Sequence, residues 1–367
     1  MPSQPTNFGL LPPELSDLKK SPVVVLPVPF ERTTSYGKGT SGGPAALLRA
    51  SQSMELYDDE LQCEPCEVGI ATALPFHPEA FDMEEAMAEL DAECHRFMAA
   101  GKFLVTLGGE HSLTIAPVRA AQRVFGDIGI VQFDAHSDLR EEFEGTPYSH
   151  ASVMRRVFDE GVRSLSVGIR SLSAPEAELI RRHRIPVIWG HELEPAAALE
   201  KRFDVLLKKL PKRVYLTFDI DYFDPSLVPA TGTPEPGGGS WYPTLRLLRK
   251  LFAAKEVVAM DVVELAPLGG QPASDFVAAK LAYKCIGYKY FGRARGGQPV
   301  TFDVRRLHAH RIVSANFGLC RDTSSPSFVC TIQNSSWSPW YVALKCKSPH
   351  SAPAIKQRPA SSFESGQ

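Results

Sequence analysis

Seven cysteines in 367 residues are too few, too scattered and odd in number to form a disulfide framework. Cys63 and Cys66 make a lone CxxC; no second pair lies at zinc-site spacing and no redox-type βαβ context surrounds it, so surface or half-buried thiols are the expectation. No apolar run approaches the roughly 18 residues that a membrane span needs. The opening from Met1 to Lys20 has Pro at 2, 5, 12 and 13 and no apolar core, so it does not read as a signal peptide, and the cytoplasm is the location expected by default. Excess charge of either sign is missing too: the formal net charge is −2, leaving no general attraction to nucleic acid or membrane. No internal repeat appears. What remains is an ordinary enzyme composition, 44% hydrophobic and 22% charged.

Apolar, strand-like runs alternate with helical stretches. PVVVLPVP at 22–29 reads as a buried first strand, followed by a Gly-, Ser- and Thr-rich loop to Gly43 and a helix from Pro44 to about Ser51. Residues 83–100 carry apolar and small residues at helical spacing, with Gly101 as a stop. Further strands are expected at 103–107, 128–133, 162–167, 186–189, 214–218 and 256–263, and helices at 176–183, 244–254 and 276–286. This pattern predicts an α/β fold with a mainly parallel sheet covered on both faces. The composition changes near Arg293. Residues 293–367 hold ten Lys or Arg against three acidic residues, a net of +7, so residues 1–292 carry −9. A catalytic domain over 1–292 and a basic, Ser- and Pro-rich, weakly ordered tail over 293–367 are the expectation.

Six residues with metal-ligand chemistry fall in three short runs, each directly after a strand-like segment. They are His111 in GGEHS, then Asp134, His136 and Asp138 in DAHSD, and Asp219 and Asp221 in DID. In an open parallel sheet, ligands bind beyond the carboxyl ends of the strands, so three such ends can meet in one crevice. In an extended turn, positions i, i+2 and i+4 point the same way, which would bring Asp134, His136 and Asp138 to one cluster. Four carboxylates at one site repel unless cations are present. The set is oxygen-rich with two imidazoles and no thiolate, which favours manganese over structural zinc. A carboxylate-bridged pair of such ions turns water into a nucleophile at neutral pH. Glu110 should alternate away from His111 and is not expected to be a ligand. His150 in YSHAS has the type and placement of a general acid or proton shuttle, or of a surface histidine. Glu264, at the end of EVVAMDVVE, could hold a cationic substrate group, with Asp261 as the alternative carboxylate; the spacing sends the two to opposite sides of an extended strand.

These motifs give the chain a resemblance to the ureohydrolase family of arginases and agmatinases, from about Pro22 to Phe291. GGEHS, DAHSD, TFDIDYFDPSLVPATGTPEPGG and MDVVELAP occur in the family's order and spacing. The resemblance implies a three-layer α/β/α sandwich and two Mn2+ ions bridged by Asp134, Asp219 and a hydroxide. It implies His111 and Asp138 on one ion and His136 and Asp221 on the other. Asp138 would orient the hydroxide that attacks the guanidinium carbon, His150 would shuttle the proton to the departing amine, and Glu264 would pair with the guanidinium. Products would be urea and a primary amine. Leu139 and Arg140 after DAHSD, where arginases carry Ile and Asn, together with GTPEPGG and YSHAS, resemble agmatinases and imply agmatine as substrate, putrescine as product and a role in polyamine synthesis. Guanidinobutyrate and arginine are the alternative substrates. Glu110 departs from the Asp usual in arginases, and the tail matches nothing in the family. Family members form trimers or hexamers, so a homo-oligomer is implied. A one-metal deacetylase-type site and a non-catalytic family member are the remaining rivals, and the intact ligand set argues against both.

Overall fold

The structure, a computed structural model, describes residues 7–292 and one antiparallel pair of two-residue strands, Cys330–Thr331 and Tyr341–Val342. The expectation of a weakly ordered tail therefore falls, apart from that pair, outside the described residues.

Eight parallel strands form one sheet: β1 Val23–Val28, β2 Ile70–Thr72, β3 Phe103–Gly108, β4 Ile128–Phe133, β5 Arg163–Ile169, β6 Val187–Trp189, β7 Arg213–Asp219 and β8 Glu256–Val263. They lie in the order β2-β1-β3-β8-β7-β4-β5-β6. The connecting helices are α1 Pro13–Ser16, α2 Gly43–Ser51, α3 Met83–Ala99, α4 Ile115–Phe125, α5 Val153–Asp159, α6 Ala174–His183, α7 Ala196–Leu207, α8 Trp241–Ala254 and α9 Ala273–Tyr290.

The strands read as continuous apolar runs because both sheet faces are covered. All six residues of β1 are buried; Val23 and Val25 pack in one core, with α2, α7, α8 and α9, while Val24, Leu26 and Val28 pack in the other, with α3 to α6. These two cores make the three-layer α/β/α sandwich expected from the sequence. Two of the helices, α3 and α6, start where a side chain satisfies free N–H groups. Asp82 caps α3 by accepting from the N–H groups of Glu84 and Glu85, and Ser173 forms a capping box with Glu176 on α6. Gly101, at φ 74°, ends the α3 segment where only glycine is unstrained.

The strand order decides where the site can form. β3, β8, β7 and β4 are consecutive in the middle of the sheet, so their carboxyl ends lie side by side. Under two of those ends the Phe133 and Phe218 rings stack at 5.1 Å between centroids, with Tyr222 edge-on to both. Such pairs contribute roughly 0.5–1.5 kcal/mol beyond area burial. Here they also lock the registers of the residues that follow them, Asp134 and Asp219.

Candidate metal centre

The loops leaving the four central strands carry the charged residues. His111 lies just beyond β3, Asp134 follows β4, Asp219 ends β7, and Glu264 follows β8. Gly109 is obligatory at the first of these turns: a Cβ there would sit 1.9 Å from the Phe30 carbonyl oxygen. All six sequence-nominated ligands meet. One group of donor atoms within binding reach comprises His111, Asp134 and Asp219, and a second comprises Asp134, His136 and Asp221. Asp134 belongs to both: its Oδ2 is 3.1 Å from Nδ1 of His111 and its Oδ1 is 3.7 Å from Nδ1 of His136. A carboxylate facing two imidazoles with its two oxygens has the arrangement of a bridge. Oδ2 of Asp138 is 3.0 Å from the same His111 nitrogen.

Nδ1 of His111 shows that the residues fit a cation. It is buried, lies 3.0–3.4 Å from three carboxylate oxygens and makes no hydrogen bond. The opposite ring nitrogen, Nε2, is 2.8 Å from the Thr217 hydroxyl. That hydroxyl donates its only proton to Asp261 at 2.7 Å, so it can only accept from Nε2–H. In the neutral imidazole the Nδ1 lone pair is then aimed into the carboxylate cluster, as a metal ligand requires.

Without cations, protons must balance the charge. Burial, reinforced by Asp138 and Asp221, pushes Asp134 up to about 7, and burial with Asp221 and Asp134 raises Asp219 well above the usual range. Burial disfavours a charged His136, but Asp221 outweighs it and lifts the imidazole to about 10. His111 is likewise held well above its ordinary value by its three carboxylates despite burial. Asp221 moves the other way: burial would raise it, but His136 holds it down. Divalent ions would take over this role from the protons.

One small cavity of about 150 Å³ opens onto the cluster, lined by five of the six ligands together with His150, Glu264, Ser35, Phe143 and Thr233. Burial pushes Glu264 up to about 8, and its Oε1 accepts from the His111 backbone N–H at 2.6 Å. Asp261, the other carboxylate considered for this position, does not reach the cavity. It is fully buried behind His111, accepting from Thr114, Tyr215 and Thr217. One geometric expectation needs correction. DAHSD is not a simple extended turn: Asp138 has φ 52°, and Glu264 is also left-handed at φ 63°.

Several residues not nominated from the sequence brace the site. Glu176 caps α6 and also accepts from the Ser137 hydroxyl at 2.6 Å and the Leu139 N–H at 3.0 Å, fastening the loop on both sides of Asp138. The Arg170 guanidinium donates to the carbonyls of Asp221 (2.8 Å), Glu235 (2.7 Å) and Pro236 (3.0 Å), tying the DID turn to the GTPEPGG loop. The only sequence signal for Thr217 was a polar residue inside an apolar strand.

A sequence model described as the arginase family matches residues 21–287. The chain belongs to the arginase family. It is 44% identical over 275 residues to an N(1)-aminopropylagmatine ureohydrolase of Synechocystis, covering 72% of this chain and 88% of that one. It is 34% identical to an agmatinase of Pyrococcus horikoshii, covering 74% and 93%. The solved agmatine ureohydrolase of Thermoplasma volcanium superposes with a TM-score of 0.67 at 31% identity, covering 74% and 90%. The chain is thus an arginase-family ureohydrolase, a hydrolase of amidino C–N bonds. Among the described residues, no helix is long and apolar enough to cross a membrane.

Proposed function

We propose that this ureohydrolase holds two Mn2+ ions and hydrolyses the guanidinium group of agmatine, releasing urea and putrescine. The observation that carries the reading is the pair of donor groups sharing Asp134 at the floor of a cavity whose rim holds Glu264 and His150. His111, Asp134, Asp138 and Asp219 would hold one ion, and Asp134, His136, Asp219 and Asp221 the other. When bound, such a pair activates water for attack on the guanidinium carbon. The chain's own residues do the rest. Glu264 ionises against the arriving cation and orients the guanidinium by charge-assisted hydrogen bonds. Asp138 orients the nucleophile, and His150 delivers a proton to the departing nitrogen. All these residues lie within residues 1–292, which we take as the catalytic domain.

The rim supports a substrate with a cationic tail. Glu141, Glu142 and Glu144 are exposed on the loop around Phe143, outside the residues that line the cavity, while Arg140, which does line it, leans on the Phe143 ring and toward Glu176. Three such carboxylates beside the mouth attract ammonium groups and repel the carboxylate of arginine or guanidinobutyrate. The names of the relatives at 44% and 41% identity support a second reading, N(1)-aminopropylagmatine, with spermidine in place of putrescine. The test is urea release from all four compounds by the Mn2+-loaded protein. Turnover of agmatine or its aminopropyl derivative should exceed that of the two carboxylate-bearing compounds. The opposite order would sink the proposal, and the ratio of the first two kcat/KM values chooses between the readings.

A further inference from the structure

Glu110 sits next to a proposed ligand, is fully buried and takes no part in the cluster. Its carboxylate turns instead to the loop after β1. Oε2 accepts from the backbone N–H groups of Arg32 at 2.5 Å and Thr33 at 2.6 Å. Oε1 accepts from the Thr33 hydroxyl at 2.8 Å and from the Ser112 hydroxyl. With its single proton donated to Glu110, the Thr33 hydroxyl can only accept further bonds. Both of its remaining neighbours belong to His150: the backbone N–H at 3.1 Å and ring Nδ1 at 3.3 Å. Nδ1 must therefore carry hydrogen to bond there. In the neutral imidazole this leaves the lone pair on Nε2, and in the imidazolium it leaves Nε2–H as the proton not already engaged. The Phe143 ring closes one side, edge-on at 5.5 Å.

We propose that Thr33 and Glu110 are positioning residues that set the ring orientation and tautomer of His150, so that Nε2 is the atom exchanging protons with the substrate. The inference rests on His150 being the proton carrier. As the C–N bond breaks, its electron pair stays on the departing nitrogen and takes the Nε2 proton; the neutral imidazole then regains a proton from the water consumed in hydrolysis. Thr33 holds backbone and ring of the same residue through one oxygen, which restricts rotation as well as tautomer. Glu110, 77 residues away in sequence, fixes that oxygen's proton.

The test compares steady-state kinetics and Mn2+ content of the loaded wild type with Thr33→Val, Thr33→Ser, His150→Asn and the double variant Thr33→Val with His150→Asn, using agmatine or its aminopropyl derivative, whichever turns over faster. His150→Asn should lower kcat by about 10²- to 10⁴-fold. Thr33→Val should lower kcat by roughly tenfold with KM and metal content unchanged, and Thr33→Ser should restore it, as expected when only hydrogen-bond geometry at the proton carrier is lost. In the His150→Asn background, Thr33→Val should cost nothing more, because its effect runs through the missing ring. Full additivity, a Ser variant as slow as Val, or an unaffected Val variant overturns the inference while leaving the proton-carrier reading intact. Unchanged turnover in His150→Asn removes that reading and the inference with it. Should Thr33→Val misfold, Glu110→Gln, which can donate where the carboxylate accepts, must show the same loss confined to kcat.

Discussion

Replacing Thr217 by Val removes one hydroxyl and adds a methyl of similar size, so it isolates the link between Asp261 and His111. Two hydrogen bonds go at once, His111 Nε2–H to Thr217 at 2.8 Å and Thr217 to Asp261 at 2.7 Å. The stranded groups have no access to water: His111 is 1% exposed and Asp261 0%. The same Asp261 oxygen keeps only the Phe218 N–H, at 3.3 Å. A buried polar group left unpaired costs about 1–3 kcal/mol. The folded chain should therefore lose about 2–5 kcal/mol. Metal binding suffers separately, because nothing then holds the proton on Nε2 and the lone pair on Nδ1. Losing such a support typically weakens metal affinity 10- to 100-fold, about 1.4–2.7 kcal/mol. Only the ion served by His111 should be affected. Dialysis against graded free Mn2+ followed by elemental analysis should show the Val variant retaining about one ion per chain where the wild type retains two. Thr217→Ser, which keeps the oxygen, should behave like wild type. A Val variant that binds both ions with unchanged affinity would refute the tautomer argument.

Glu264→Gln keeps an oxygen for the His111 N–H but removes the charge facing the guanidinium, so KM should rise roughly 10- to 100-fold with two ions retained; an unchanged KM excludes Glu264 from binding. In the metal-free protein Asp134 and His136 have raised folded values, about 7 and about 10, so the stability they contribute is complete below their unfolded values and is lost as pH rises through the folded ones. Metal must displace those protons, so the Mn2+-induced rise in Tm should grow between pH 6 and 9, and calorimetry showing it constant or shrinking would contradict the charge balance described above. Arg170→Met strips the shared donor from the Asp221, Glu235 and Pro236 carbonyls; it should lower stability by about 2–4 kcal/mol and make the 233–238 loop more sensitive to protease, which limited digestion checks.

The residues of the candidate metal cluster could be picked out from the sequence because each sits within a few residues of a strand end, and an apolar run ending in an acidic or imidazole residue is a local pattern. The strands other than β2, and helices α2, α3, α6, α8 and α9, were legible for the same reason, since burial on both faces of β1 or one face of α3 leaves a periodic trace; α4 and α7 were not nominated. The supporting residues left no such trace. Thr217 meets Asp261 44 residues away, Glu110 meets Thr33 across 77, and Arg170 meets Asp221 across 51. Each partner lies on a different strand or loop, and only the order β1-β3-β8-β7-β4-β5 brings them together. Strand alternation spoke against Glu110 as a ligand but carried no hint that its carboxylate would reach the β1 loop.

Alternation also fails where the chemistry is most demanding. An extended chain continuing from β8 would send Asp261 and Glu264 to opposite faces, and an extended DAHSD would line up its three ligands without further adjustment. Instead both Asp138 and Glu264 adopt left-handed backbone, a conformation costing about 1–2 kcal/mol for a residue with a Cβ. Glycine would relieve that cost at either position but could supply no carboxylate. The surroundings hold both turns in place: Glu264 N–H donates to the Gly109 carbonyl at 2.8 Å, the Asp138 carbonyl accepts from Arg155 at 3.0 Å, and Glu176 grips the residues on either side of Asp138. Strain at two of the residues assigned to orienting nucleophile and substrate, offset by hydrogen bonds from the β3 loop, α5 and α6, is what a site selected for geometry over stability should look like. It also accounts for the tightness of the Gly109 turn: the glycine brings β3, the β1 loop and Glu264 together closely enough for one carbonyl to fix the turn that aims the Glu264 carboxylate.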